Sequence, residues 1–214
     1  MNNNKRINYS FPVYDGLCNF KYNVELNEIT STHDYRIDTE STIDEKRIFE
    51  KIEKADNVLS DILCFSRGIK TSDDKRFIQR SALTKDHKKV YRGRNIKAYT
   101  MNWENEYVWY RPDLMKEKVG CLPHSKDFFE VPEKIITQRI SNRLLVTYDN
   151  EKNYFLDTTN VSNYKTWNKK YSMKFLCGLL NSRVVNFWYS KKYRLPTIGG
   201  YELESIPVPF VSEK

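Results

Sequence analysis

The sequence predicts an α+β domain in which a twisted, mostly antiparallel sheet has one helix near its N-terminus and a long helix near its C-terminus. Two patterns predict this class. Short runs of aromatic and β-branched residues, separated by clusters of Pro, Asn, Asp and Ser, extend to residue 161. Two other segments carry apolar residues at helical spacing. The 214 residues are 39% hydrophobic and 14% aromatic, which is enough for a packed core.

The N-terminal elements are expected to be a pair of strands and a helix. Residues 9–29 place an Asp15-Gly16 turn signal between aromatic and β-branched runs, which predicts a hairpin. Thr42 and Glu45 have the spacing of a capping box, and apolar residues follow them at helical intervals. We therefore expect a helix over residues 43–55.

The segment after this helix begins with apolar residues and continues with residue types that are common in turns, from Ser66 to Gly68. We expect a strand, a loop and a second strand over residues 59–78. The turn is placed at Gly68, because glycine adopts backbone conformations that other residues avoid. Strand-like runs then continue, and the clearest of them read YVWY, KIITQRI, RLLVTYD and NYFLD.

The C-terminal region has the period of a helix. Apolar side chains form a wide stripe over residues 172–193, which predicts one long helix packed on a core or on another domain. Gly199 and Gly200 end this pattern. The closing segment LESIPVPF is expected to be extended, and Pro207 and Pro209 exclude it from the centre of a sheet.

The charge is positive and unevenly placed. The formal net charge is +8 and the pI is about 9.1. Residues 1–60 carry 8 Lys and Arg against 11 Asp and Glu, so residues 61–214 carry 28 against 17. A polyanionic partner is therefore expected to meet the later part of the chain.

Cysteine usage and the absence of targeting signals indicate the cytoplasm. The four cysteines are far apart, which suits buried thiols in a reducing compartment, so no disulfides are predicted. No apolar run is long enough to span a bilayer, and residues 1–10 lack the hydrophobic core of a signal sequence. We expect a cytoplasmic protein.

Motifs for catalysis and for metal binding are missing. Cys121 and His124 give one ligand-like pair, whereas a zinc site needs four ligands. A methyltransferase would need a glycine-rich turn to hold S-adenosylmethionine, and the seven glycines form none. We expect no catalytic residue, no metal and no cofactor in this chain.

Nucleic-acid binding is the function that the charge pattern favours. Lysines bind phosphates in any sequence, whereas the arginine fork fits the guanine edge, and Asn or Gln fits adenine. Such side chains concentrate in KKVYRGRNIK and TQRISNR, near predicted strand ends and turns. The candidate DNA-binding residues are Lys70, Lys88, Lys89, Arg92, Arg94, Asn95, Lys97, Gln138, Arg139, Asn142, Arg143, Lys191, Lys192 and Arg194. For any one of them the alternative is an ordinary solvated face, and the last three also suit a helix C-terminus.

Two other function classes stay open at this point. A small Mg²⁺-dependent nuclease would use the acids at 73–75 or 111–118, although their order is wrong for such a site and residues 71–77 read as an exposed turn. An RNA-binding module would use exposed Tyr and Trp side chains as stacking platforms.

Five segments resemble the landmarks of a known family, in the same order. They read LSDILCFSRGIKTSDDKRFI, KKVYRGRNIKAY, PEKIITQRISNRLLVTYDNEKNYFLDTTNV, FLCGLLNSRVVNFWY and LESIPVPF. The chain resembles the TaqI-like C-terminal specificity domain over about residues 46–210. That domain is the target-recognition part of adenine-specific restriction-modification enzymes.

The resemblance implies a module that reads duplex DNA for an adenine methyltransferase, in some members with a nuclease as well. It implies that S-adenosylmethionine binds the partner methyltransferase domain, and it carries no catalytic residue over to this chain. We expect residues 1–45 to be N-terminal strands and a connector toward the partner, and residues 46–214 to be the DNA target-recognition domain. An excised segment, a truncated product and a separate subunit all remain open.

Overall fold

The computed structural model describes residues 9–14, 17–26, 41–166, 170–193 and 196–210. The chain forms two compact units, residues 1–50 and residues 51–214. Helices and mostly antiparallel sheets are both present, which confirms the α+β class. Within the described ranges, no helix combines the length and the apolar character that a membrane span requires.

The strands and helices are short. The strands are β1 (Ser10–Tyr14), β2 (Phe20–Glu25), β3 (Asn57–Val58), β4 (Leu63–Arg67), β5 (Ile78–Gln79), β6 (His87–Tyr91), β7 (Tyr107–Trp109), β8 (Lys134–Gln138), β9 (Val146–Asp149), β10 (Tyr154–Phe155), β11 (Thr159–Tyr164) and β12 (Pro207–Val208). The helices are α1 (Ile43–Glu53), α2 (Leu59–Ile62), α3 (Asp74–Phe77), α4 (Pro112–Met115), α5 (Lys126–Phe129), α6 (Met173–Asn181), α7 (Arg183–Lys192) and α8 (Gly200–Glu204), and a 3-10 turn covers Gly93–Asn95.

The N-terminal hairpin and helix agree with their predictions. Strands β1 and β2 pair antiparallel, and the predicted Asp15-Gly16 turn between them lies outside the described residues. Helix α1 begins at a capping box, in which Glu45 N–H donates to Thr42 Oγ1 at 3.2 Å and Thr42 N–H donates to Glu45 Oε2 at 2.8 Å. The capping side chains therefore set the start of the helix.

The larger unit contains two four-stranded sheets rather than the single sheet predicted. The first has the order β10-β6-β7-β5, in which β10 pairs parallel to β6 and the other pairs are antiparallel. The second is antiparallel with the order β4-β11-β8-β9. The closing segment forms β12, which pairs with β3 in a two-stranded sheet and so has no central position among the described strands.

One hydrophobic core connects the two sheets. Ile136 and Val161 of the second sheet belong to the same buried cluster as Tyr91 and Phe155 of the first. The Tyr91 and Phe155 rings stack with centroids 5.7 Å apart. Because the core is shared, a displacement of one sheet disturbs the packing of the other.

The predicted long C-terminal helix is present as two consecutive helices. Helix α6 ends at Asn181, and Ser182 has an extended backbone with φ −63° and ψ 151°. The Ser182 hydroxyl accepts a hydrogen bond from Val185 N–H at 3.2 Å and caps α7. Serine is favoured at such a position because its hydroxyl can take the place of a helical backbone hydrogen bond. The residues predicted to form one helix therefore form two, with Ser182 between them.

The segment 59–78 also differs from its prediction. A helical turn, α2, precedes the predicted first strand, and α3 lies within the predicted loop. The side chain of Asp73 accepts a hydrogen bond from Arg76 N–H at 3.3 Å and so starts α3. The N-cap at Asp73 thus accounts for a short helix where the sequence predicted a loop.

A fully buried ion pair joins β8 to β9. Lys134 and Asp149 are opposite each other in the strand register, and Lys134 Nζ lies 2.5 Å from Asp149 Oδ2. Lys134 Nζ also donates to the carbonyl of Phe129 at 2.6 Å. The Asp149 carboxylate accepts from the backbone N–H and the side-chain amide of Asn153, at 3.1 and 2.6 Å. Burial, opposed by Asp149, lowers the pKa of Lys134.

We predict that Asp149→Ala lowers the free energy of unfolding by about 3–5 kcal/mol, because it leaves the buried Lys134 ammonium without its counter-ion. Urea unfolding measures this loss. Lys126→Ala is the matched control, because it breaks the ion pair with Glu130 at 3.2 Å in which Lys126 is 62% exposed. The control is expected to change stability far less. Equal losses in the two variants would contradict the importance of the buried pair.

Candidate nucleic-acid interface

Thr158 connects the two segments that the sequence marks as DNA-reading. Gly93 N–H, in the first segment, donates to Thr158 Oγ1 at 2.8 Å. Arg139 N–H, in the second segment, donates to the Thr158 carbonyl at 3.0 Å. We call residues 92–101 and 138–146 the joined loops, since one residue holds both.

Three neighbouring stretches of backbone, which end near Ile69, Tyr91 and Leu156, run parallel toward Thr158. Ile69 forms a parallel bridge with Leu156, and Tyr91 of β6 pairs parallel with Phe155 of β10. Ile69 N–H donates to the Phe155 carbonyl at 2.7 Å, and Leu156 N–H donates to the Tyr91 carbonyl at 3.0 Å. The residues that follow these stretches therefore emerge at the same edge.

Two glycines allow the backbones to approach closely here. A Cβ on Gly68 would lie 2.3 Å from the Leu156 carbonyl oxygen, and a Cβ on Gly93 would lie 2.4 Å from that of Thr158. Gly68 is not among the residues with positive φ. Its predicted role as a conformational turn is therefore wrong, and it is required because it has no side chain.

A cavity of about 210 Å³ opens at this edge. Lys70 and Arg92 contribute cations to its lining, while Asp74 and Asp157 contribute carboxylates. Thr71 and Ser72 add hydroxyl groups. Because both signs of charge line it, the cavity offers donors and acceptors together rather than a uniformly positive surface.

Arg92 is held in ion pairs. Its Nε lies 2.7 Å from Glu106 Oε2, and its Nη1 lies 3.0 Å from Asp74 Oδ2. Burial opposes the charged form, yet the hydrogen bonds to Glu106 and Asp74 raise the pKa of Arg92 overall. The side chain is 21% exposed. Arg92 therefore fixes the start of its loop.

Arg94 is the more accessible arginine of the first loop. Its Nε and Nη2 donate to Glu104 Oε2 at 2.9 and 2.7 Å, and its side chain is 57% exposed. The hydrogen bond from Arg94 lowers the pKa of the Glu104 carboxyl. An arginine oriented by a carboxylate and exposed to solvent is suited to bidentate recognition of a base edge.

The side chain of Asn95, one of the candidate DNA-binding residues, is buried within the first loop. It is 3% exposed, and its Oδ1 accepts a hydrogen bond from Arg92 N–H at 2.6 Å. The amide thus shapes the 3-10 turn. A local side-chain to backbone bond of this kind is what Asn commonly forms in turns.

The tip of the first loop is a tight hairpin over residues 97–100. Lys97 N–H donates to the Thr100 carbonyl at 2.9 Å, and Tyr99 N–H donates to the Val146 carbonyl of β9 at 2.9 Å. Lys97 is exposed, and Tyr99 is 59% exposed with φ 68°. The Tyr99 bond is a second connection between the joined loops.

The second loop carries both anchored and exposed side chains. Gln138 Nε2 donates to the Ile140 carbonyl at 2.9 Å, and Arg139 Nη1 donates to the Asp157 carbonyl at 2.8 Å. Asn142 and Arg143 are exposed. The structure thus places Lys97, Arg94, Asn142 and Arg143 on loops that share their backbone anchors.

Lys88 and Lys89 occupy adjacent positions of β6 and so point to opposite faces of its sheet. Lys89 Nζ lies 4.9 Å from the Trp103 ring centroid and 5.4 Å from that of Tyr91. A hydrogen bond with Tyr91 raises the pKa of Lys89. The two lysines therefore do not form one continuous cationic strip.

Lys191 and Lys192, at the end of α7, contact aromatic rings of the same helix. Lys192 Nζ lies 3.1 Å from Glu53 Oε1 and 4.8 Å from the Trp188 ring centroid. Lys191 Nζ lies 5.9 Å from the Phe187 ring centroid. The predicted residue Arg194 lies outside the described residues.

The acids considered for a nuclease take part in ion pairs. Asp73 Oδ2 lies 3.2 Å from Lys118 Nζ, and that hydrogen bond lowers the pKa of Asp73. Asp113 Oδ2 lies 2.6 Å from Arg111 Nη2. In the part of the chain that the structure describes, no three His, Cys, Asp or Glu side chains are grouped to hold a metal ion.

Sequence reasoning missed Arg67 and Thr158. Arg67 is exposed at the end of β4 and directly precedes Gly68. The same Arg-Gly pair occurs where β6 ends, at Arg92 and Gly93. The repeated Arg-Gly at a strand end is the signal that would have found Arg67, whereas Thr158 carries no such signal.

We predict that Gly93→Ala lowers the free energy of unfolding by about 1–3 kcal/mol, because the added methyl group would overlap the Thr158 carbonyl. Gly178→Ala is the matched control, since its added Cβ would meet nothing within 4 Å inside α6. The control is expected to stabilise the protein by up to about 1 kcal/mol. Urea unfolding of both variants measures the difference, and a neutral Gly93→Ala would refute the close approach.

A comparison with known protein families found a match that covers this region. A family model described as the TaqI-like C-terminal specificity domain matches residues 88–208, more than half of the chain. The match contains both joined loops and Thr158. A search of curated proteins found no match. This chain belongs to the family of TaqI-like C-terminal specificity domains.

Proposed function

We propose that the chain recognises a specific duplex DNA sequence within a restriction-modification system and directs an adenine-specific DNA methyltransferase or endonuclease to it. The observation that carries this proposal is the attachment of both joined loops to Thr158. Family membership supports the same function. A shared attachment allows side chains from two loops to contact one stretch of DNA together.

Within this proposal, different side chains contact phosphates, contact bases or hold the loops in place. Lys97 and Arg143 contact phosphates, because they are exposed cations with no ion-pair partner in the described ranges. Arg94 reads a guanine edge, and Asn142 reads an adenine edge. Arg92 holds the first loop in place through its ion pairs with Glu106 and Asp74.

The remaining candidate cations add backbone contacts of lower specificity. Lys70 lies at the cavity between the parallel stretches and is exposed. Lys88, Lys89, Lys191, Lys192 and Arg194 would contribute through long-range attraction to the phosphates. Cations that already have a carboxylate or ring partner gain less from a phosphate, because that partner must be displaced.

The reactive chemistry is assigned to a partner. Residues 1–45 connect to a methyltransferase domain or subunit, and residues 46–214 recognise the target. S-adenosylmethionine binds that partner rather than this chain. Methylation and restriction act on DNA inside the cell, which corresponds to a cytoplasmic location.

RNA binding is the second candidate function, because Tyr99 is an exposed aromatic ring beside the exposed Lys97. Such a pair offers a stacking platform and a phosphate contact to a single strand. Competition between duplex DNA and single-stranded RNA for the purified chain decides between the two. Preference for RNA would reject duplex recognition.

Selection of bound duplexes from a random-sequence pool tests the proposal directly. Enrichment of one short sequence is expected, and a pool that stays random would reject specific recognition. Incubation of the selected duplex with Mg²⁺ tests the nuclease alternative. Cleavage that Asp74→Asn abolishes would show that the chain is itself an enzyme.

We predict that Arg143→Ala weakens binding to every duplex by a similar factor and lowers the slope of log affinity against log salt by about 0.9, since one phosphate contact is lost. Fluorescence anisotropy at several salt concentrations measures both quantities. Lys85→Ala is the control, because Lys85 is an exposed cation before β6, at the end opposite to Arg92. An equal effect of the control would indicate non-specific attraction only.

We predict that Arg94→Ala relaxes selectivity at one base pair by about 1–3 kcal/mol, because bidentate contact with a guanine edge is lost. Affinities for the selected duplex and for its single base-pair variants measure this change. Uniform weakening across all variants would show that Arg94 contacts phosphate rather than a base.

A further inference from the structure

Arg67 and Arg139 lie on the two sides of β11. Arg67 is opposite Asn160 in the β4 pairing, and Arg139 N–H donates to the Thr158 carbonyl on the other side. Thr158 lies in the turn directly before β11, two residues before Asn160. The backbones of the two arginines therefore flank the start of β11, one on each side of that strand.

Neither guanidinium forms an ion pair in the part of the chain that the structure describes, and the more distant charge of Asp157 acts to raise the pKa of Arg139. Across the described residues, no carboxylate lies within 4.0 Å of Arg67 or Arg139, although Arg92 and Arg94 both have such partners. Arg139 Nη1 donates to a neutral backbone carbonyl, that of Asp157. A pair of cations without a counter-ion is the kind of arrangement that an anion stabilises.

Arg139 also has a buried donor without an acceptor. Its Nε is inaccessible to solvent and makes no hydrogen bond to any residue that the structure describes. A buried unsatisfied donor costs about 1–3 kcal/mol. Burial first, and then the charge of Arg67, lower the pKa of Arg139. The unsatisfied Nε–H of Arg139 therefore destabilises the folded protein, and a ligand that accepts a hydrogen bond from it would remove this penalty.

We propose that Arg67 and Arg139 form a clamp that binds one phosphodiester group of the DNA backbone; this inference rests on the proposed function. A phosphate has several acceptor oxygens and a negative charge, so it can accept from two guanidinium groups that approach from different sides. A base edge offers only a planar pair of atoms, which one arginine fork already satisfies. Arg139 is thereby assigned to the backbone rather than to a base.

The clamp would also set the register of the base-reading loop. Arg139 and Gly93 share Thr158 as a hydrogen-bond partner, so a phosphate held by Arg139 lies at a fixed distance from the loop that carries Arg94. Phosphate contacts position a protein on the duplex, and base contacts then select the sequence. Arg67 and Arg139 are positioning residues in this sense.

Arg67→Ala tests the clamp, because Arg67 is exposed and its loss leaves the core intact. We expect roughly tenfold weaker binding to the selected duplex and to a scrambled one alike, with unchanged selectivity and a salt slope lower by about 0.9. Arg67→Lys is expected to keep the slope and recover part of the affinity. Lys85→Ala is the control. Weakening limited to one base pair would overturn the clamp in favour of base reading.

Duplexes with a single methylphosphonate linkage locate the phosphate. One neutral linkage is expected to weaken the wild-type protein and to have no further effect on Arg67→Ala. If no linkage shows this dependence, the clamp is wrong, while the effects of Arg94→Ala and Arg143→Ala still report on the proposed function.

Titration with inorganic phosphate separates the two sources of the anion. The NMR signal of the Arg139 Nε–H group is expected to shift with DNA, and more weakly with inorganic phosphate, in the wild type but not in Arg67→Ala. A shift with inorganic phosphate in a protein that binds no DNA would overturn the backbone assignment and identify a site for free phosphate. No shift with either ligand would overturn the clamp itself.

Discussion

The buried pair of Lys134 and Asp149 is the interaction on which the rest of the larger unit depends. It fixes the register of β8 against β9, and the same carboxylate holds Asn153 at the end of the following turn. The chain therefore turns from β9 directly into β10, which belongs to the other sheet. Removing two charges from water is costly, and the additional hydrogen bonds to Phe129 and Asn153 offset that cost.

Residues 155–158, which continue the chain from β10, contact both joined loops of the candidate interface. Within four residues the backbone contacts the stretch around Ile69, the end of β6 at Tyr91 and the start of the second loop at Arg139. Gly68 and Gly93 make the two closest approaches possible. Backbone hydrogen bonds, the Thr158 hydroxyl and the ion pairs of Arg92 position the loops, while Arg94 and Arg143 stay exposed.

Ion pairing decides which cations are available to a polyanion. Arg92 and Arg94 are oriented by Glu106, Asp74 and Glu104, so part of the positive charge organises the first loop. Arg67 and Arg139 form no such ion pairs in the described ranges. The net charge of +8 therefore overstates the number of cations that carry no ion pair.

Local chemistry in the sequence determined the α+β class, the N-terminal hairpin, the capped start of α1 and the two segments that form the joined loops. These features depend on side-chain period and turn residues a few positions apart. Tertiary structure alone decided the division into two sheets, the burial of Asn95, the helix break that Ser182 caps and the position of Arg67 beside β11. The physical reason is distance along the chain: Gly93 and Thr158 are 65 residues apart, and no local pattern encodes their hydrogen bond.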